Sequence, residues 1–172
     1  MRPTDAFLHA CASGDEDDAR RLLEAHPHLR ADLLETEHDA VVRAIETGSA
    51  NAVRVFAALG FDLGVEGPWG GTALHWAAWR GRVELVRVLL AAGVAVNLRD
   101  KTYGSSPIAW AAHGSANCRD ADDDYIAVID LLLEAKSERA PSYNKWNDPP
   151  ENLASDAVAD HLIERGFATT ES

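Results

Sequence analysis

Apolar and polar positions along residues 70–97, GGTALHWAAWRGRVELVRVLLAAGVAVN, fit two short helices joined by a tight turn. Thr72 is placed to cap a first helix of about eight residues that stops at Gly81. A second helix, over 83–92, carries Leu85, Val86, Val88, Leu89 and Leu90, and Gly93 ends it. Helices this short are marginal alone, so both must bury a face against neighbours. The same unit recurs along the chain. Gly14, Gly48 and Gly81 occupy the turn between helices at spacings of 34 and 33 residues, and Ser115 is the next equivalent, 34 further on. The stop after the second helix falls at His26, Gly60 and Gly93. A period near 33 residues is that of a stacked repeat architecture.

The residues at the start of the unit make the pattern specific. Thr72-Ala73-Leu74-His75-Trp76-Ala77-Ala78 resembles the T-P-L-H-x-A-A signature of the ankyrin repeat, and Ser106-Pro107-Ile108-Ala109-Trp110-Ala111-Ala112 is a weaker copy. Segments 5–11 and 39–45 fit as degenerate copies. Segment 158–166 matches a second helix and its stop, in a last unit that lacks a good first helix. The resemblance covers nearly the whole chain. It implies an all-α solenoid, one domain over 1–172, of about five helix-turn-helix units near 3–35, 36–68, 69–101, 102–140 and 141–170. Degenerate end units suit a stack whose outer faces meet water. Two stretches break the period. About nine extra residues, near 116–124, separate the helices of the fourth unit, and 137–152 is irregular, with Pro141, Pro149 and Pro150.

In the family the first helices and hairpin tips line a concave groove, and the resemblance sorts positions accordingly. The variable residue inside the motif is His9, Arg43, Trp76 and Trp110 in successive units, and the residue after the motif is Ala12, Glu46, Trp79 and His113. Trp69 sits on the tip before the third unit, Lys101, Thr102 and Tyr103 on the next, and Tyr143 and Trp146 in the irregular stretch. All five tryptophans thus project to one face, as do the candidate binding residues Trp69, Trp76, Trp79, Tyr103, Trp110, His113, Tyr143 and Trp146. Such a cluster suits a peptide, a sugar face or a cation. For Trp76 and Trp110 a packing role between adjacent units stays equally open. His75 holds the family's structural histidine position.

Charge narrows the partners. A formal net charge of −12 and the lack of Lys/Arg-rich stretches disfavour nucleic acid and anionic membranes. No apolar run reaches the roughly 18 residues of a membrane span, and the N-terminus does not read as a secretory signal, so a cytoplasmic monomer is expected. Cys11 and Cys118 are too few for a disulfide framework; Cys11 reads as a buried hydrophobe, whereas an exposed Cys118 beside Arg119 is a weak candidate nucleophile. No metal or cofactor is expected. An EF-hand starting at Asp120 would have Tyr125 and Leu131 where Gly and Glu belong, so Asp122, Asp123 and Asp124 read as capping charges for a helix beginning near Tyr125. The expected function is a non-catalytic module that binds a protein or peptide on the tryptophan-rich face. The alternative is a small-molecule binder or enzyme. Its pocket would be closed by loops 115–124 and 137–152, with His113 as acid or base and Asp39, Glu46 or Asp100 to orient it.

Overall fold

The computed structural model describes residues 1–35, 49–118, 122–138 and 144–167. Regular structure among the described residues is helical. The α-helices are α1 (Pro3–Ser13), α2 (Glu16–Ala25), α3 (Leu29–Glu35), α4 (Ala50–Ala58), α5 (Ala73–Trp79), α6 (Val83–Ala91), α7 (Pro107–Asn117), α8 (Asp122–Glu134), α9 (Pro150–Leu153) and α10 (Asp156–Glu164). A 3-10 turn, Pro68–Gly70, forms a hairpin tip closed by an isolated antiparallel bridge between Glu66 and Thr72. The degenerate motif over 39–45, with Asp39, Arg43, Glu46 and Gly48, lies outside the described residues.

Local signals account for several helix ends. Asp15 caps α2 by accepting from the Asp18 amide at 2.9 Å, and Ser49 caps α4 through the Ala52 amide at 3.2 Å. The acidic run Glu16, Asp17 and Asp18 fills the first turn of α2, where carboxylates complement the helix dipole. Helices α5 and α6 pair as a hairpin, as do α7 with α8 and α9 with α10. Across units, α5, α7 and α9 adjoin in one layer, and α4, α6, α8 and α10 in another. The core runs between the layers through Leu74, Leu85, Leu89, Ile108, Ile129, Leu132 and Leu162. At the N-terminal end Phe7, Phe56 and Phe61 pack with ring centroids 5.2–5.9 Å apart.

Three features depart from the sequence expectation. Helix α3 adds turns that the 33-residue period does not call for. It is held by the buried Leu29 and Leu33 and by Arg30, whose guanidinium lies 4.2 Å over Phe61 and donates to the Leu59 carbonyl at 2.6 Å. Ser115 does not end its helix, because serine lacks glycine's access to the left-handed conformation and α7 continues to Asn117. Its hydroxyl instead accepts from the Ser155 amide at 3.0 Å, tying α7 to the start of α10. Helix α8 begins at Asp122 rather than near Tyr125, so the three aspartates lie in its first turn rather than before it. Among the described residues, the lengthened helices therefore take up 116–117 and 122–124 of the insertion.

The layer that carries the tryptophans is unusually close-packed. Helices α5 and α7 approach so tightly that a Cβ on Gly114 would lie 2.2 Å from the Trp79 carbonyl oxygen. The same carbonyl accepts from the Tyr125 hydroxyl at 3.0 Å.

Candidate functional site

Three hairpin tips stand in a row beside this layer. The first holds Trp69 at φ 64°, ψ 12°, a left-handed conformation that is strained for a bulky side chain. The second, residues 100–105, is organised around Asp100, which is only 2% exposed. Its carboxylate accepts from the Ser105 amide and from Trp110 Nε1, both at 2.9 Å, and from the Tyr103 amide. A buried carboxylate tolerates burial when its lone pairs are occupied in this way. The third tip is built on Asn144, whose Oδ1 accepts from the Trp146 and Asp148 amides at 2.9 Å each. It docks on the second through the Lys145 amide, which donates to the Tyr103 carbonyl at 2.9 Å.

Between tips and helices lies a cleft of about 490 Å³. Trp76 and Trp79 of α5 and Ala109, Trp110 and His113 of α7 line its helical side. Trp69, Tyr103 and Ser105 come from the first two tips; Asn144, Trp146, Asp148 and Leu153 come from the irregular stretch. Seven of the eight residues singled out from the sequence therefore line one cavity; the eighth, Tyr143, lies outside the described residues. Trp110 is the hub. Its ring meets Trp76 at 5.2 Å, His75 at 5.3 Å, Trp79 at 6.1 Å and Tyr103 at 6.2 Å, all edge to face, the favoured geometry for aromatic pairs. At 7% exposure it is a wall built into the fold, whereas Trp69 and Trp146 stand about 60% exposed at the rim. Trp76 shares in the packing: its Nε1 is buried without a hydrogen-bond partner among the described residues.

His75 secures the α5 end of this array. The Thr72 amide donates to His75 Nδ1 at 3.0 Å, and an N–H can only donate, so Nδ1 is the unprotonated nitrogen. Nε2–H then donates to the Ser105 carbonyl at 3.1 Å, linking α5 to the second tip. Burial pushes the His75 pKa below the ordinary imidazole value of 6.5. The folded chain thus resists a proton that the unfolded chain takes up below about pH 6.5. Stability is full above that pH and falls as pH drops from there through the folded-state value. Urea denaturation at pH 7 and pH 5 is expected to show a lower midpoint at pH 5, with a smaller drop in His75→Gln; an equal drop in the variant would assign the pH dependence elsewhere.

Two expectations need correction. Asp100 does not orient His113; its carboxylate is occupied by the tip and by Trp110. His113 instead packs its ring on Trp79, with centroids 5.0 Å apart, and has no ion pair among the described residues. Desolvation lowers its pKa, which leaves it neutral at neutral pH. Cys118 is half-buried rather than exposed, caps α7 and does not line the cleft. Burial pushes the Cys11 thiol up to about 12, which makes it inert, as the sequence indicates. The sequence reading missed Asn144 and Asp148. A visible signal was there, since Asn144 and Asp148 are spaced to close a turn on either side of Trp146.

No helix among the described residues is long and apolar enough to cross a membrane, and no described group of His, Cys, Asp and Glu is arranged to hold a metal ion. Residues 7–100 and 43–139 match the family pattern of ankyrin repeats in three copies. The chain is 26% identical over 165 residues to a probable E3 ubiquitin-protein ligase, XBOS32, of Oryza sativa subsp. japonica, covering 95% of this chain and 31% of that protein. It is 41% identical over 130 residues to the calmodulin-binding transcription activator CBT of the same plant, covering 70% of this chain and 14% of the relative. It is 38% identical over 88 residues to the E3 ubiquitin-protein ligase KEG of Arabidopsis thaliana, covering 50% and 5%. The chain thus spans less than a third of the length of these relatives. The period, the signature motifs, the paired helices and the match over 7–139 together place the chain in the ankyrin-repeat family.

Proposed function

We propose that the protein is a non-catalytic binding module that takes a peptide segment of a protein partner into the tryptophan-lined cleft. The observation that carries this reading is the convergence of Trp69, Trp76, Trp79, Tyr103, Trp110 and Trp146 on one cavity, with Trp69 and Trp146 left exposed at its rim. Exposed indoles cost solvation, and clusters of aromatic anchors dominate binding energy in protein interfaces. The strained backbone of Trp69 supports the same reading, because left-handed non-glycine residues, at a cost of about 1–3 kcal/mol, cluster at ligand clamps. Ankyrin repeats are a general protein-interaction module, and a stack of repeats offers an extended groove for such a segment.

The small-molecule reading draws support from the cleft volume, which lies within the range of ligand sites, and from the Asn144–Asp148 tip standing over it. An acid or base role for His113 draws none, since its described contacts are to an indole rather than to an orienting carboxylate.

The test is capture of partners from a native lysate by the full chain and by three variants. Trp69→Ala and Trp79→Ala are expected to lose at least about tenfold in captured material, the loss typical of an interface anchor. Arg87→Ala, on the exposed side of α6, is expected to retain it. Thermal melts must show Trp69→Ala folded. Equal capture by all three variants would move binding off this face.

A further inference from the structure

We infer that the cleft is built to seat an arginine side chain of the partner peptide; this rests on the peptide-binding reading above and specifies its chemistry. Charge on the cleft wall points one way. Its described lining residues include one carboxylate, Asp148, and neither lysine nor arginine, and the one histidine, His113, is neutral at neutral pH. Asp148 Oδ2 accepts a long hydrogen bond of 3.3 Å from Asn144 Nδ2, which leaves lone pairs of the carboxylate available to a stronger donor. The chain carries a formal net charge of −12, which favours encounter with cationic over anionic ligands.

The rings supply the second half of the argument. Indole faces carry negative quadrupole density and attract a cation placed over them. The protein already uses this at the rim, where the Lys145 ammonium lies 4.5 Å from the Trp146 ring and 5.9 Å from that of Tyr103. That ammonium is tied down, donating to the Thr102 carbonyl, so the indoles it leaves to an incoming cation are those of Trp69, Trp76 and Trp79. A guanidinium fits such a slot better than an ammonium. It is planar, stacks on aromatic faces, sheds water more readily, and presents a fork of donors to a single carboxylate. A volume of about 490 Å³ leaves space for flanking backbone beside the side chain, which favours a peptide over a free guanidine.

The experiment is a tryptophan-fluorescence titration of the full chain with acetylated, amidated Gly-Arg-Gly. The same peptide with citrulline, the same peptide with lysine, and free methylguanidine are the comparisons. The arginine peptide is expected to give a saturable shift that weakens as salt rises. The citrulline peptide, which keeps the shape and loses the charge, is expected to bind roughly tenfold more weakly. Asp148→Asn is expected to weaken the arginine peptide by a similar factor and leave the citrulline peptide unchanged. Citrulline or lysine binding as tightly as arginine overturns the inference, as does an unaltered response in Asp148→Asn. Methylguanidine binding as tightly as the peptide overturns the peptide source. If no arginine peptide binds while Trp69→Ala still loses partner capture, the inference fails and the peptide-binding reading stands.

Discussion

Gly114→Ala is expected to destabilise the protein by roughly 3 kcal/mol, near the upper end for overpacking a core. The added methyl would meet the Trp79 carbonyl carbon at 2.9 Å as well as its oxygen at 2.2 Å. Both are backbone atoms in the last turn of α5, so no rotamer change relieves the clash. Helices α5 and α7 must move apart, and that separation disturbs the Tyr125 hydroxyl bond to the same carbonyl and the edge-to-face stack of Trp79 on Trp110. Gly93→Ala provides the comparison. Gly93 has φ 81° but nothing within 4 Å of the new methyl, so its cost is the left-handed penalty alone, about 1 kcal/mol. Urea denaturation should separate the two variants clearly. A Gly114→Ala midpoint no lower than that of Gly93→Ala would show that the two helices have room to spare.

Trp110→Ala is the second large effect, at about 4 kcal/mol, in the range for removing a buried aromatic. The substitution deletes the ring that four other aromatic side chains abut and takes one donor from the buried Asp100 carboxylate. Trp110→Phe separates the two contributions. It keeps much of the ring packing and leaves Asp100 its two backbone donors, so a cost of about 1–2 kcal/mol is expected, that of a buried hydrogen bond broken on one side. Both variants should also loosen the second tip, seen as faster amide exchange at Tyr103 and Ser105. A cost below about 1 kcal/mol for the alanine variant would mean that the ring is not the hub of the cleft.

The two variants act on one wall from different sides. Gly114 sets how closely the tryptophan-bearing helices approach, and Trp110 fills the space that this approach leaves. A binding defect in either variant would therefore accompany a loss of stability, whereas Trp69 and Trp146 at the rim should affect binding with little cost to folding.

Much of this was legible in the chain itself. Caps and stops are local: Thr72, Ser49, Asp15 and the glycines at 14, 81 and 93 bound their helices through interactions within a few residues. The fixed period puts Trp76 with Trp110 and Trp79 with His113 at equivalent positions, and the resemblance to the ankyrin repeat is what assigned those positions to one wall. Tertiary structure decided the rest, because it depends on contacts between segments whose separation the period does not fix. It placed Asp100 on Trp110 rather than on His113. It brought Asn144, Trp146 and Asp148 against the second tip through one backbone hydrogen bond from a stretch that follows no repeat. It also determined that Ser115 sits inside a helix and binds Ser155, since a serine at a glycine position ends a helix only if the surrounding packing supplies the turn. Periodicity thus gave the register of the repeats, and the resemblance to the ankyrin repeat gave the side of the stack on which the aromatic residues gather. Close packing between α5, α7 and the tips determined that they enclose a cleft with one carboxylate, Asp148, among its described lining residues.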